Sequence, residues 1–395
     1  MVPKKIGIDI TNLPYDYYGG VDSYCRGLIN GFSRLNKKIE FQIYLNDKYF
    51  FNRKFNLGKN FKFVIIKQTI FKKILYKIYN KFFPYFSLFL FNFKFLIDFI
   101  IRNFLNSEFK ALVKKNSDVL IVPNTYLSFY DKQIKTYLNI HDLQHLHYPE
   151  NFSLHERCMR EYQYYNSAKY SYRLISSSGF IKNDLLNNFS FLKNKKIKII
   201  SEGVYLRDFL KKKYNKKKDK IFFFPAQLWN HKNHFLVIKA FKFLKQNLNI
   251  NAKLIFCGKK FKQNDFLFKY IQKNKINNVK YLGLIKFDRL LKLYRESYCV
   301  ICPALYESSS LTLLEAIASS SAVIASNNKP NLEKSKYFKI NFFDKNDYLS
   351  LVKAIKKIYF DEKLFKKQIN FNLKNINKFD WKYISYDFLR IILKK

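Results

Sequence analysis

Apolar runs that indicate buried strands alternate with helical patterns through both halves of this 395-residue chain. The first run is Lys5 to Ile10, and the second half begins again with a run from Ile221 to Phe224. Such alternation is typical of parallel sheets that are covered by helices on both faces. The length also exceeds what a single hydrophobic core usually holds. The sequence therefore predicts two doubly wound α/β domains.

One stretch of the second half, Cys302 to Ala316, combines a strand end, a loop of small residues and a helix start. The run Tyr298 to Cys302 indicates a buried strand, and a helical pattern begins at about Leu311. Open α/β sheets bind ligands at the carboxyl ends of their strands, and helix N-termini bind anions. Glu307 and Glu315 stand on either side of this anion site. Two carboxylates around an anion site suit a nucleotide sugar, which has hydroxyls on both sides of its phosphates.

This stretch resembles the signature of the retaining glycosyltransferases of GT-B fold known as group 1, in which seven residues separate two glutamates. The resemblance implies that Glu307 holds hydroxyls of the donor sugar and that Glu315 holds the ribose hydroxyls. Serines replace both glycines of the family's usual Gly-Phe-Gly-Leu-Pro. Their side chains limit how close the backbone can come to a phosphate. In an alternative interpretation, Glu315 only completes a helix capping box that begins at Thr312. Other donor-binding residues implied by the resemblance in this stretch are Ser309, Ser310 and Leu311.

A second match follows the strand at Ile221 to Phe224. Residues 225–234, Pro-Ala-Gln-Leu-Trp-Asn-His-Lys-Asn-His, are similar to the donor-diphosphate loop of one subgroup of this family. The resemblance implies that Lys232 binds the phosphates, and a cation beside a helix N-terminus increases its attraction for a diphosphate. Many relatives carry an arginine where this chain has Gln227. Lys232 is therefore expected to neutralise more of the negative charge of the donor diphosphate. Gly258 ends the next strand, where the backbone is expected to approach the nucleotide base.

In the first half, the predicted strand Tyr137 to Ile140 runs into His141, and the following Leu-Gln-His and Pro-Glu-x-Phe-Ser segments resemble the same subgroup. There the histidine lies beside the donor sugar, so the resemblance makes His141 and Glu307 the candidate catalytic residues. Gly19-Gly20 lies between the first strand and the next helix, where glycine lets the backbone come close to a ligand. The family typically has such a loop beside the donor phosphates, which makes Gly20 a further donor-binding candidate.

Lys and Arg total 73 against 29 Asp and Glu, a net charge of +44. The basic residues are spread along the chain without an RNA-binding motif, so nucleic acid is not a predicted partner. Five scattered cysteines fit a reducing cytosol. No metal and no cofactor are predicted, because His145 and His147 have no third ligand at a usual spacing. An Asp-x-Asp motif for a metal-bridged diphosphate is also absent from the sequence.

The segment Ile70 to Leu105 is the least typical part of the resemblance. Lys73, Lys77 and Lys81 follow one another at helical spacing, and a Phe-rich helical pattern comes next. A basic amphipathic helix beside an aromatic-rich one predicts an interfacial element on anionic lipid. The alternative is a hairpin packed on its own domain, with the basic face exposed to solvent. No uncharged run is long enough for a membrane span.

Together the resemblance implies a GT-B fold of two Rossmann-like domains facing a central cleft. Residues 1–210 are expected to bind the acceptor and 211–379 the nucleotide sugar, with a basic linker at Lys211 to Lys218. Residues 380–395 are expected to form a helix that packs back on the first domain. The implied enzyme is a retaining, metal-independent hexosyltransferase that uses a UDP- or GDP-linked sugar and a glycan or lipid-linked acceptor.

The expected setting is cell-surface polysaccharide or lipopolysaccharide assembly, in the cytoplasm at the inner face of the cell membrane. Two alternatives remain open at this stage. One is a nucleotide-sugar epimerase of the same fold, and the other is a non-catalytic GT-B module that binds nucleotide sugars.

Overall fold

The structure is a computed structural model that describes residues 3–13, 19–35, 38–46, 57–194, 197–210 and 220–393. The predicted linker Lys211 to Lys218 lies outside these residues. The chain divides into two compact units, Met1–Glu202 with Trp381–Lys395 and Gly203–Asp380. The division thus falls after Glu202, whereas the sequence suggested residue 210.

The first unit is built on a seven-stranded sheet. Its strands are β1 (Lys5–Asp9), β2 (Glu40–Asn46), β3 (Phe61–Ile66), β4 (Val119–Val122), β5 (Thr136–Asn139), β6 (Arg173–Ser176) and β7 (Ile197–Ile199). All pairs are parallel, and the order is β3-β2-β1-β4-β5-β6-β7. Every residue of β4 and β5 is buried, as expected for central strands that are covered on both faces.

Helices connect these strands. They are α1 (Gly20–Ser33), α2 (Ile70–Phe86), α3 (Phe93–Leu105), α4 (Ser107–Asn116), α5 (Gln144–His147), α6 (Leu154–Tyr170) and α7 (Gly179–Asn188). Ser153 and Glu156 form a capping box at the start of α6, which explains why this helix begins there. None of the helices that the structure describes is long and apolar enough to cross a membrane.

The second unit has a six-stranded parallel sheet. Its strands are β8 (Ile221–Pro225), β9 (Lys253–Cys257), β10 (Val279–Tyr281), β11 (Cys299–Cys302), β12 (Ala322–Ser326) and β13 (Asn341–Phe343). The order is β10-β9-β8-β11-β12-β13. Both sheets thus reverse their direction of winding beside their first strand, between β1 and β4 and between β8 and β11. Doubly wound sheets bind ligands at this switch point.

The remaining helices complete both units. They are α8 (Leu206–Phe209), α9 (His234–Gln246), α10 (Asp265–Lys273), α11 (Phe287–Glu296), α12 (Leu311–Ala318), α13 (Lys329–Lys334), α14 (Tyr348–Phe360), α15 (Glu362–Asn375) and α16 (Trp381–Leu393). Helix α16 belongs to the first unit and packs on α1. A Cβ on Gly27 would lie 2.0 Å from the Trp381 ring, and a Cβ on Gly31 would lie 2.0 Å from Ser385 Oγ. The two glycines of α1 therefore allow α16 to approach closely.

Candidate functional site

The loops after β8 and β11 meet at the switch point of the second sheet. Lys232, from the first loop, donates to Glu307 of the second, with Nζ 2.6 Å from Oε1. About a fifth of each side chain is exposed to solvent. The structure thus brings together two candidate residues that are 75 positions apart in the sequence. Their ion pair was not predicted.

Hydrogen bonds to backbone carbonyls hold these two loops in place. The residue after Lys232, Asn233, has a left-handed backbone with φ 65°. Its Nδ2 donates to the carbonyl oxygen of Lys345 at 2.8 Å and to that of Pro303 at 3.4 Å. The Leu305 N–H also donates to the His231 carbonyl at 2.8 Å. The ion pair is therefore built on a fixed backbone frame.

The loop after β11 ends at the N-terminus of α12, as the sequence predicted. Ser310 precedes the helix with φ 62° and ψ 61°, a left-handed conformation that favours glycine. Its Oγ donates to Asn331 Oδ1. The preceding Ser309 is fully buried, and its Oγ has no hydrogen-bond partner among the described residues. Leu311 is the first residue of α12.

Glu315 lies within α12, one turn after its first residue. Tyr294 of α11 donates its hydroxyl to Glu315 Oε2 at 2.6 Å. Burial, then the neighbouring carboxylate, raises the pKa of Tyr294 well above its usual value. The residue before the helix is Ser310, and no side chain caps it, so the alternative capping box that begins at Thr312 is wrong. The carboxylate is instead oriented by the neutral Tyr294 hydroxyl.

Gly258 and Gln227 lie together beside the same strand ends. Gly258 has φ 145°, and a Cβ there would lie 2.1 Å from the Ala226 carbonyl oxygen. Glycine is therefore required by the contact between two protein loops, a reason that sequence reasoning did not give. Gln227 accepts from the Trp229 Nε1–H at 3.0 Å through its Oε1. That contact orients the side chain within its own loop.

In the first unit, His141 follows β5 and is buried. Its Nε2 lies 2.8 Å from the Pro123 carbonyl oxygen. Because a carbonyl only accepts, Nε2 carries the proton, and Asn139 Nδ2 donates to Nδ1 at 3.1 Å. Burial lowers the pKa of His141, against smaller opposing effects of the Pro123 carbonyl and Asp142. The imidazole is thus neutral and fixed in one tautomer.

The N-terminal end of α1 lies beside this histidine. The Tyr24 ring packs edge-on against His141 with centroids 4.9 Å apart. At the start of the helix, a Cβ on Gly20 would meet nothing within 4 Å among the described residues. The described residues therefore leave room at this position, which is compatible with the close approach of a ligand.

A buried carboxylate at the end of β1 was missed by sequence reasoning. Asp9 accepts from the Thr11 hydroxyl at 2.6 Å and from the Ser128 hydroxyl at 2.7 Å. Burial raises the pKa of Asp9, while these hydrogen bonds oppose the rise. An Asp at a strand end was visible in the sequence, but its partner Ser128 lies 119 positions away.

The described residues contain no cluster of three or more His, Cys, Asp or Glu side chains that could hold a metal ion. His147 Nε2 lies 2.8 Å from Asp184 Oδ1. His145 is buried, and burial lowers its pKa to about 4. The two histidines that were weighed as zinc ligands thus have separate surroundings.

Part of this chain is similar in sequence to known glycosyltransferases. Residues 207–374 match the family model for glycosyl transferases group 1. The O-antigen chain mannosyltransferase RfbU of Salmonella typhimurium is 24% identical over 189 residues, 48% of this chain and 51% of RfbU. The match thus spans about half the length of that relative.

Several solved structures resemble nearly the whole chain. Sucrose-phosphate synthase from Thermosynechococcus elongatus has a TM-score of 0.71 at 15% identity and covers 98% of both chains. Anabaena HepE, in complex with UDP and glucose, has a TM-score of 0.66 at 12% identity and covers 98% of this chain and 99% of its own. These likenesses confirm the predicted GT-B fold with two parallel-sheet α/β domains.

Proposed function

We propose, because residues 207–374 match the family model for glycosyl transferases group 1, that the chain transfers a sugar from a nucleotide-sugar donor to an acceptor hydroxyl. The proposal includes retention at the anomeric carbon and no requirement for a metal ion. The observation that carries it is the 2.6 Å contact between Lys232 Nζ and Glu307 Oε1 at the switch point of the second sheet. A lysine that could bind phosphate thus lies beside a carboxylate that could hold sugar hydroxyls.

The diphosphate of the donor would bind between Lys232 and the N-terminus of α12. Helix N-termini present N–H groups without intrahelical partners. Ser309 supports this placement, since its buried Oγ lacks a partner among the described residues. Charge that develops on the departing diphosphate would then meet fixed donors, which is the preorganised form of electrostatic stabilisation.

The two glutamates would bind opposite ends of the donor. Glu307 would accept hydrogen bonds from the sugar hydroxyls, and Glu315 would accept from the ribose. Tyr294 supports the second role, because its hydroxyl fixes one carboxylate oxygen of Glu315 at 2.6 Å. The resemblance implies transfer on the front face without a protein nucleophile, so Glu307 acts by positioning the sugar.

His141 would lie beside the donor sugar as a neutral imidazole. Its fixed tautomer supports a role as a hydrogen-bonding group, since burial lowers its pKa. Gly20 would leave room for the donor at the start of α1, and Gln227 and Gly258 would border the nucleotide.

The acceptor would be a glycan or a lipid-linked glycan of the cell surface. RfbU is named as an O-antigen chain mannosyltransferase, which supports this class of acceptor. HepE was solved with UDP and glucose, which supports a nucleotide-linked hexose as the donor. The proposed location is the cytoplasm, at the inner face of the cell membrane.

The test is a thermal-shift screen of UDP- and GDP-linked sugars, followed by mass spectrometry of lipid-extract acceptors with the stabilising donor. The expected result is a glycosylated product together with free nucleoside diphosphate. A donor that binds without any product, or that is only epimerised, would contradict transfer. Lys232→Ala should weaken the stabilisation by the donor. Its matched control is Lys353→Ala, a lysine on the exposed side of α14.

A further inference from the structure

The hairpin formed by α2 and α3 exposes a dense set of apolar side chains. Fourteen large apolar residues between positions 70 and 104 are exposed. Ile70 and Phe89 are each 79% exposed, and Phe91 is 82% exposed. Monomeric proteins rarely leave large contiguous apolar patches in water, so such a surface marks a site of interaction.

The opposite side of the hairpin is firmly anchored to its own domain. Phe83 of α2 packs against Tyr162 of α6 with ring centroids 5.0 Å apart. Asp98 of α3 is buried and accepts from Arg102 Nε at 2.9 Å and from the Tyr79 hydroxyl at 2.6 Å. A loosely attached segment would not form such a buried network, so the exposed side is a stable surface.

On α2 the basic and apolar rows lie side by side. Lys73, Lys77 and Lys81 are exposed and follow one another at intervals of four residues. At about 100° per residue, this row lies roughly 60° from the row that begins at Ile70 and continues through Ile74. Ile74 is 52% exposed, so this row is not covered by its own domain.

The turn between α2 and α3 adds an aromatic tip. Leu88, Phe89 and Phe91 are all exposed there, and Phe93 begins α3 with its side chain 69% exposed. Aromatic and aliphatic side chains beside lysines are the composition of helices that lie in the interface of a bilayer.

We propose that this surface, the exposed side of α2 and α3 with the turn between them, docks on a bilayer of anionic lipid. The lysine row would lie among the headgroups, and the apolar row with Phe89 and Phe91 would enter the acyl boundary. A second copy of the chain is disfavoured as the occupant, because it would bring like-charged lysine rows together on chains of net charge +44. The docking surface is argued from its own residues, and only its use for a lipid-linked acceptor rests on the proposed function.

The first experiment is flotation of the full chain with neutral phosphatidylcholine vesicles and with vesicles that also contain phosphatidylglycerol. Wild type is expected to bind the anionic vesicles only. The triple variant Lys73→Glu, Lys77→Glu and Lys81→Glu should bind at least about tenfold more weakly, because its basic row is reversed. Its matched control carries the same charge change on α14, at three exposed lysines. The control positions are Lys353, Lys356 and Lys357.

The second experiment removes the apolar tip and keeps the charge. Phe89→Ser with Phe93→Ser should weaken binding to anionic vesicles, whereas Phe266→Ser with Phe360→Ser, exposed in the second unit, should not. Circular dichroism checks that each variant is folded. Equal vesicle binding by wild type and both hairpin variants overturns the proposal.

The proposal is also overturned if light scattering finds a dimer that the hairpin variants dissociate, since the surface would then be an interface between copies. Neither measurement needs a donor or an acceptor. Failure of membrane docking would thus be distinguishable from failure of sugar transfer.

Discussion

The ion pair between Lys232 and Glu307 predicts opposite effects for its two members on the binding of a nucleoside diphosphate. Glu307 Oε1 accepts a hydrogen bond from Lys232 Nζ at 2.6 Å and so occupies one of its donor directions. A phosphate oxygen must displace or share this contact. Glu307→Gln should therefore strengthen the binding of UDP or GDP, whereas Lys232→Ala should weaken it.

The magnitudes follow from the partial exposure of the pair. Removing Lys232 loses a charge-assisted hydrogen bond to phosphate, which costs roughly 1.5–3 kcal/mol, or about 10- to 150-fold in Kd. Glu307→Gln should strengthen the binding of the nucleoside diphosphate by less, about 1 kcal/mol or roughly fivefold in Kd. The gain is small because solvent already weakens an ion pair whose side chains are one-fifth exposed.

Isothermal titration calorimetry with each nucleoside diphosphate is the assay, on both single variants and on the double variant. In the Lys232→Ala background, Glu307→Gln should change affinity little, because the competition is gone. If Glu307→Gln weakens the binding of the nucleoside diphosphate, the carboxylate does not compete for the lysine. If Glu307→Gln raises the affinity equally in wild type and in Lys232→Ala, the effect comes from general repulsion between Glu307 and the diphosphate and not from competition for the lysine.

The remaining predictions concern catalysis, the backbone and pH. In a transfer assay, Glu307→Gln should lower the rate more than Glu315→Gln does, and normal turnover by both variants would make this stretch structural. Gly258→Ala should destabilise the protein by roughly 3 kcal/mol or more in urea titration, because the residue has φ 145° and its Cβ would collide with the Ala226 carbonyl. The control, Gly20→Ala, should be nearly neutral. Burial lowers the pKa of His145 in the folded protein to about 4, whereas the unfolded value is roughly 6.5. Neutral His145 therefore contributes its full share of the folding stability above about pH 6.5, and this share is lost as the pH falls toward about 4. In melting curves recorded across this pH range, His145→Gln should therefore lose less stability than wild type. If wild type and variant lose the same stability, His145 is not the group that titrates.

Much of the fold was predictable because its signals are local. Buried strands such as Ala322–Ser326 are short apolar runs, and helices such as α2 show their period directly. The strand β13, Asn341–Phe343, was not predicted. The resemblance also indicated which loops would carry Lys232 and Glu307.

Contacts between distant residues left no pattern to recognise. Nothing in the sequence shows that Tyr294 donates to Glu315, or that Asn331 accepts from Ser310. The loss of glycine at position 310 was visible, but its consequence was not. The serine keeps the left-handed conformation with φ 62°, which costs a non-glycine residue about 1–2 kcal/mol, and the contact with Asn331 helps to hold it there.

Helix α16 has a consequence for the order in which the protein is made. Trp381 is almost completely buried and packs edge-on against Tyr24, which in turn packs on His141. These contacts join residues from the first half of the described chain to a helix that is synthesised after the whole second unit. The second unit has emerged in full by then, so we expect it to mature first during synthesis. The contacts around His141 would take their final form only after translation has passed α16, and a nascent chain would hold a complete second unit while the first unit is still incomplete.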